Sequence, residues 1–290
     1  MKTLSRGLCL FIPLLLVACG GGGGGSAPPP PPPPVGNVTI SGTVTFDKVP
    51  FSAAVNGGLD FANTNGSAPV RGATVQAVAA GGQTVLATTT TDASGNYALT
   101  VAGNTDLFIR VRAEMVRTGT PSWNFTVRDN TATEALYTLD GPSSSSGAAN
   151  STRNLAARSG WTAGSGYTGT RAAAPFAILD AAYQSYQLVL GADANATFPE
   201  LRMFWSTRNV PCDPAANNFC DGSGAALTRG EIGTTFFTPG SPDRIFVLGS
   251  AGTDTDEFDA AVIAHEWGHY YQDNFSRDDS LGGPHTTTER

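Results

Sequence analysis

Histidine is nearly absent from this sequence. Only 3 of 290 residues are histidine, and His265, His269 and His285 all fall within the last 26 positions. Any imidazole chemistry is therefore confined to one end of the chain. Charge is also scarce, at 14% of residues, and the formal net charge is −7. No stripe of Lys and Arg runs through it, which excludes nucleic acid as a partner held by phosphate neutralisation. The apolar run Leu8–Val17 is too short to span a bilayer. Cysteine occurs 4 times, as Cys9, Cys19, Cys212 and Cys220.

The most informative stretch is Asp259–Ser276, DAAVIAHEWGHYYQDNFS. It contains no proline, and Phe258, Val262, His265, His269 and Gln272 follow a helical 3–4 spacing. Ile263, Trp267, Tyr270 and Tyr271 broaden the apolar stripe. Asp254, Thr255 and Asp256 offer N-caps, with Glu257 and Asp259 expected in the first turn. Gly268 costs such a helix roughly 1 kcal/mol of propensity. On a helix, His265 and His269 share a face, so two neutral imidazoles can grip one metal ion. Glu266 is offset around the axis, free to reach a water without being a ligand. The bland alternative is two core histidines with Glu266 in a salt bridge. An apolar helix makes an unpaired glutamate expensive and favours the metal reading.

This HExxH stretch resembles the active-site helix of the zincin metallopeptidases. The resemblance implies Zn2+ on His265 and His269, with Glu266 as general base to a zinc-activated water. The metzincin continuation is excluded, because Gln272 and Phe275 stand where that branch has glycine and a third histidine. A gluzincin-like pattern leaves three options for the third ligand: Glu289, 20 residues after His269, or His285, or a residue beyond position 290. The last implies that the chain is the N-terminal part of a longer protein.

Earlier segments have distinct characters. Residues 1–18, with Lys2 and Arg6 before the apolar run, read as an export signal. Its end, Leu16-Val17-Ala18-Cys19, resembles the lipobox of bacterial lipoproteins. That implies lipidation of Cys19, stable membrane anchoring, and, with Gly20 next, the outer membrane. Residues 19–36 form a tether of six glycines, Gly20–Gly25, and seven prolines, Pro28–Pro34. A proline run can also serve as an SH3-type ligand, but in an exported chain it reads as a spacer.

Residues 37–140 read as all-β. Strand runs recur at Val38–Phe46, Ala73–Val78, Thr84–Thr90, Tyr97–Val101, Leu107–Arg112 and Phe125–Arg128. Val49–Pro69 reads as a long loop. The segments Gly42-Thr43-Val44, Val70–Val75 and Thr91–Tyr97 resemble the carboxypeptidase-regulatory-like, prealbumin-type β-sandwich, which implies an accessory module. Residues 141–172 are Ser/Gly-rich and read as a linker whose Trp161 and Tyr167 dock on a neighbouring domain. Residues 173–290 read as the N-terminal part of the catalytic domain. Its expected elements are a helix at Ala174–Leu190, strands at Leu201–Ser206 and Arg244–Leu248, and the HEWGH helix. Arg244–Leu248 is the expected cleft edge that pairs with peptide backbone. Cys212 and Cys220 read as a disulfide in an oxidising compartment.

The expected fold is thus multidomain: an all-β sandwich, then an α+β zincin-like domain truncated at its C-terminus. The expected activity is zinc-dependent peptide-bond hydrolysis at the cell envelope, on a protein or peptide substrate. The alternative is a non-catalytic surface-binding lipoprotein with an incomplete metallopeptidase domain.

Overall fold

The computed structural model describes residues 36–54, 58–63, 66–211 and 223–276. The export signal, Cys19, nearly all of the tether, Cys212, Cys220, His285 and Glu289 lie outside the described residues. The fold is predominantly β, with several sheets and few helices. No helix among the described residues is long and apolar enough to cross a membrane.

Strand β1 (Asn37–Lys48) buries Val38, Ile40, Val44 and Phe46 by simple alternation and is the spine of the first sheet. It pairs antiparallel with β2 (Gly66–Pro69) along its second half. The next strands, β3 (Thr74–Ala79) and β4 (Val85–Thr90), form a hairpin in a second sheet. The chain then returns to β1 with the antiparallel β5 (Asn96–Ala102). Strand β6 (Asp106–Arg112) rejoins the second sheet beside β3. The inward residues of both sheets, among them Ile40, Leu99, Val75, Ile109 and Val111, belong to one buried cluster. Each of the six runs expected as strands is a strand, its ends displaced by no more than two residues.

A third sheet begins before the first two are finished. The hairpin β7 (Glu114–Arg117) and β8 (Trp123–Asp129) belongs to it, as does β9 (Ala135–Leu136). Strand β10 (Thr138–Asp140) then goes back to β6. Residues 141–172 are not a bare linker. They carry β11 (Ser144–Ser145) on β6, β12 (Ser151–Thr152) and β13 (Leu155–Ala157) parallel to β1, and the hairpin β14 (Trp161–Thr162) and β15 (Gly166–Tyr167). Side chains assist this pairing: Asn150 Oδ1 and Asn154 Oδ1 accept the amides of Thr39 and Thr43 at 2.8 and 2.9 Å. Gly42 makes room for the crossing, since a Cβ there would lie 2.1 Å from the Arg153 carbonyl oxygen.

Helix α1 (Ala174–Ala192) carries Pro175 in its first turn and buries Phe176, Ile178, Leu179 and Tyr186. Strand β16 (Leu201–Trp205) runs parallel to β8, and the short helix α2 (Gly224–Arg229), capped by Ser223, follows. Strands β17 (Phe236–Thr238) and β18 (Asp243–Val247) complete the third sheet, in the order β17-β18-β16-β8-β7. A small pair, β19 (Gly249–Ser250) and β20 (Asp254–Thr255), leads into α3 (Ala260–Phe275). Ile245, Val247, Met203 and Phe125 belong to the main core, where Phe125 meets Tyr186 of α1 and Tyr270 of α3. Phe204, Phe246 and Leu248 make a smaller cluster with Ile232 apart from it.

The expected partition at 141–172 is therefore not the one the sheets follow. Strand β8, from the first half, lies between β7 and β16, and one buried cluster runs from Val38 to Tyr270. Trp161 and Tyr167 dock on Phe61, whose ring lies 4.4 Å from that of Trp161 and 5.5 Å from that of Tyr167. Phe61 in turn meets Phe258, just ahead of α3, at 6.2 Å.

A continuous core predicts one cooperative unfolding event. Phe125→Ala, which empties the point where β8 meets Tyr186, Phe198 and Tyr270, should cost about 3–5 kcal/mol. Urea unfolding of both variant and parent, followed by circular dichroism and by tryptophan fluorescence, should give coincident single transitions. Two separated transitions would contradict the shared core.

Candidate functional site

Helix α3 starts one turn later than the acidic residues before it suggest. Asp259 is the N-cap, its Oδ1 accepting the amides of Ala261 at 3.0 Å and Val262 at 3.1 Å. Ile263, Trp267 and Tyr270 form the buried face. Tyr270 fixes the depth of the helix by donating its hydroxyl to the Pro199 carbonyl at 2.8 Å.

The opposite side carries the histidines, with His265 exposed and His269 half-buried. Their rings stand at 89° with centroids 4.8 Å apart, and the two Nε2 atoms are 3.2 Å apart. Tetrahedral zinc with Zn–N bonds of about 2.0–2.1 Å places two ligand nitrogens about 3.3 Å apart. The pair thus has the bite of a two-imidazole metal chelate. Among the described residues, no group of three or more His, Cys, Asp or Glu side chains converges on a metal position. The candidates His285 and Glu289 lie outside the described residues.

Among the described residues Glu266 lacks the salt-bridge partner that the bland alternative would require. Its Oε2 accepts the backbone amide of Phe237, on β17, at 2.8 Å. Among the described residues strand β17 ends the third sheet, while the run Arg244–Leu248, expected as the cleft edge, falls mostly on β18, inside between β16 and β17. The correction has a simple cause: Phe236-Phe237-Thr238 is too short to announce itself as a strand, yet it supplies the edge. The segment before it is pinned by Thr235, whose hydroxyl donates to Asp256 and accepts the Leu248 amide at 3.0 Å. Burial, with Asp254, Asp259 and Glu266 nearby, raises the Asp256 carboxyl above its ordinary range against the Thr235 hydrogen bond.

Glu257, expected in the first turn of α3, is instead wholly buried before it. It pairs with Arg171 at 2.7 Å, and the two side chains are 0% and 5% exposed, so this is an interior ion pair. Tyr167 Oη and Trp205 Nε1 also donate to Glu257, at 3.2 and 3.4 Å. Arg171 donates to the Gly249 carbonyl and lies over the Tyr167 ring at 4.3 Å and the Trp205 ring at 5.2 Å. Burial raises the Glu257 carboxyl, and Arg171 opposes the shift. Sequence reading missed Arg171, Thr235 and Phe237. Arg171 sits in the Ser/Gly-rich stretch, and Phe237 acts through its backbone.

No family model and no curated protein matches the chain. Among solved structures, a 9R-lipoxygenase from Cyanothece PCC8801 is similar at 10% identity with a TM-score of 0.25; the match covers 58% of this chain and 26% of that one. A similarity this low supports no argument about fold or activity. These findings correct the resemblances drawn from the sequence. The lipoprotein with a zincin domain behind a prealbumin-type module is not supported. The chain is mostly β, matches no such family, and its described residues hold no three-ligand metal group. The HEWGH spacing is a local pattern that a helix can carry without the surrounding fold.

The buried pair makes a sharp prediction. Arg171→Met should destabilise the protein by about 3–5 kcal/mol, because Glu257 is left charged in the interior. Arg171→Met combined with Glu257→Leu should recover most of that loss. Chemical denaturation of the three proteins checks it, and an unchanged midpoint for the single variant would contradict it.

Proposed function

We propose that this chain hydrolyses peptide bonds with a divalent metal, zinc by preference, held by His265 and His269 and with Glu266 as general base. The observation that carries the reading is the 3.2 Å approach of the two Nε2 atoms on one helix face. Imidazole pairs at this separation suit zinc, and the neighbouring carboxylate suits proton transfer. A zinc ion there would supply Lewis acidity, polarising a carbonyl oxygen and making water acidic enough to attack near neutral pH. Glu266 would accept the proton of the attacking water and return it to the leaving amine nitrogen. Among the described residues no strand pairs with the outer edge of β17, and that edge, beside α3, would offer backbone groups to an extended substrate. The segment Leu16–Cys19 supports export and lipid anchoring at the cell envelope, in the outer membrane, where the substrate would be a protein or peptide.

The competing reading is a non-catalytic surface-binding protein, favoured by the two rather than three metal-ligating residues among those described. One set of variants separates the readings. The parent should bind zinc stoichiometrically and cleave an unfolded protein. His269→Ala should weaken zinc affinity by more than the roughly 10–100-fold that loss of a ligand's outer-shell partner costs. Glu266→Gln should keep the zinc but lose ~10²–10⁴-fold in turnover. Zinc retention without turnover in the parent would support the binding protein. Turnover that survives Glu266→Gln would sink the proposed mechanism.

A further inference from the structure

The contact between Glu266 and Phe237 serves a purpose beyond placing a side chain. The antiparallel ladder pairs Phe236, Phe237 and Thr238 with Phe246, Ile245 and Arg244. In such a ladder, a residue's amide and carbonyl point to the same side, and successive residues alternate. The Phe237 amide reaches Glu266, so both backbone groups of Phe237 face away from β18. That amide is the donor an added strand would need at this position. It is already taken by a carboxylate. The two elements are also held together by side chains: the half-buried Phe237 ring meets Tyr270 of α3 edge-on at 6.4 Å.

The geometry points to a latch: in the resting protein the Phe237 amide holds Glu266, and an extended peptide pairing with β17 takes the amide and releases the carboxylate beside the two imidazoles. This inference rests on the proposed hydrolytic role of Glu266, and it adds regulation by the substrate's own backbone. The base is freed by the same hydrogen bond that aligns the peptide, so water is not activated before a substrate is seated. Phe237 is a positioning residue here, acting through Glu266.

The test uses zinc-free protein, so that binding is read without cleavage, and fluorescein-labelled casein as a probe that offers extended backbone of many sequences. Glu266→Ala should bind casein about tenfold tighter than the parent, the scale of one charge-assisted hydrogen bond no longer displaced. Glu266→Gln should fall between the two. Phe237→Pro removes the outward amide at a place where a sheet edge tolerates proline. It should bind about tenfold more weakly than Phe237→Ala and abolish the gain from Glu266→Ala. Hydrogen exchange at the Phe237 amide should be slowed in the parent and fast in Glu266→Ala, which keeps the test decisive if the proline variant does not fold. Unchanged or weaker casein binding by Glu266→Ala, no binding by either protein, or an equally protected Phe237 amide in both would overturn the latch. Loss of zinc binding or of turnover, with these results intact, would remove the hydrolytic reading and leave the latch as a peptide-binding device.

Discussion

A single buried ion pair holds the chain's separate parts to the helix that carries the site. Arg171 comes just before α1, and Glu257 comes just before α3. Their pairing joins the β14–β15 hairpin through Tyr167, the third sheet through Trp205, and the approach to α3 through Gly249. Two charges in the interior are costly unless every remaining donor and acceptor is met. Here Glu257 receives three side-chain donors, and Arg171 spreads its charge over two rings and a carbonyl. Such a network specifies a position more than it adds stability, and the position it specifies is the start of α3.

From that start the site follows by helix periodicity. Asp259 caps the first turn, Ile263, Trp267 and Tyr270 turn inward, and His265 and His269 are left on the outer side with Glu266 beside β17. The Asp256–Thr235–Leu248 hydrogen bonds hold the segment before β17. Edge strand and helix are tied by the Phe237 amide to Glu266 and by the Phe237–Tyr270 ring contact.

Much of this was legible in the sequence wherever the signal is local. Period-2 alternation marked β1 and β6, where buried apolar residues face one side. The 3–4 spacing around HEWGH marked α3, and an i, i+4 pair of histidines needs only a helix to meet. The rest was hidden for identifiable reasons. The strands between Ser144 and Ala157 are two or three residues long, and β11 and β12 are polar, so no apolar rhythm announces them. Glu257 read as a first-turn acid because its partner lies 86 residues away. Phe237 contributes an amide, which every residue but proline has, and no motif can single it out. The familiar pattern around His265 also suggested a whole fold, but helices in unrelated settings can carry the same five residues.

The claim at the centre of this account is that the two imidazoles chelate one metal ion. Zinc K-edge X-ray absorption on the zinc-loaded protein tests it most directly. The account predicts an inner shell with two imidazole nitrogens at about 2.0–2.1 Å, lost when His265 or His269 is replaced by alanine. An all-oxygen shell, or a spectrum that neither substitution changes, would contradict it.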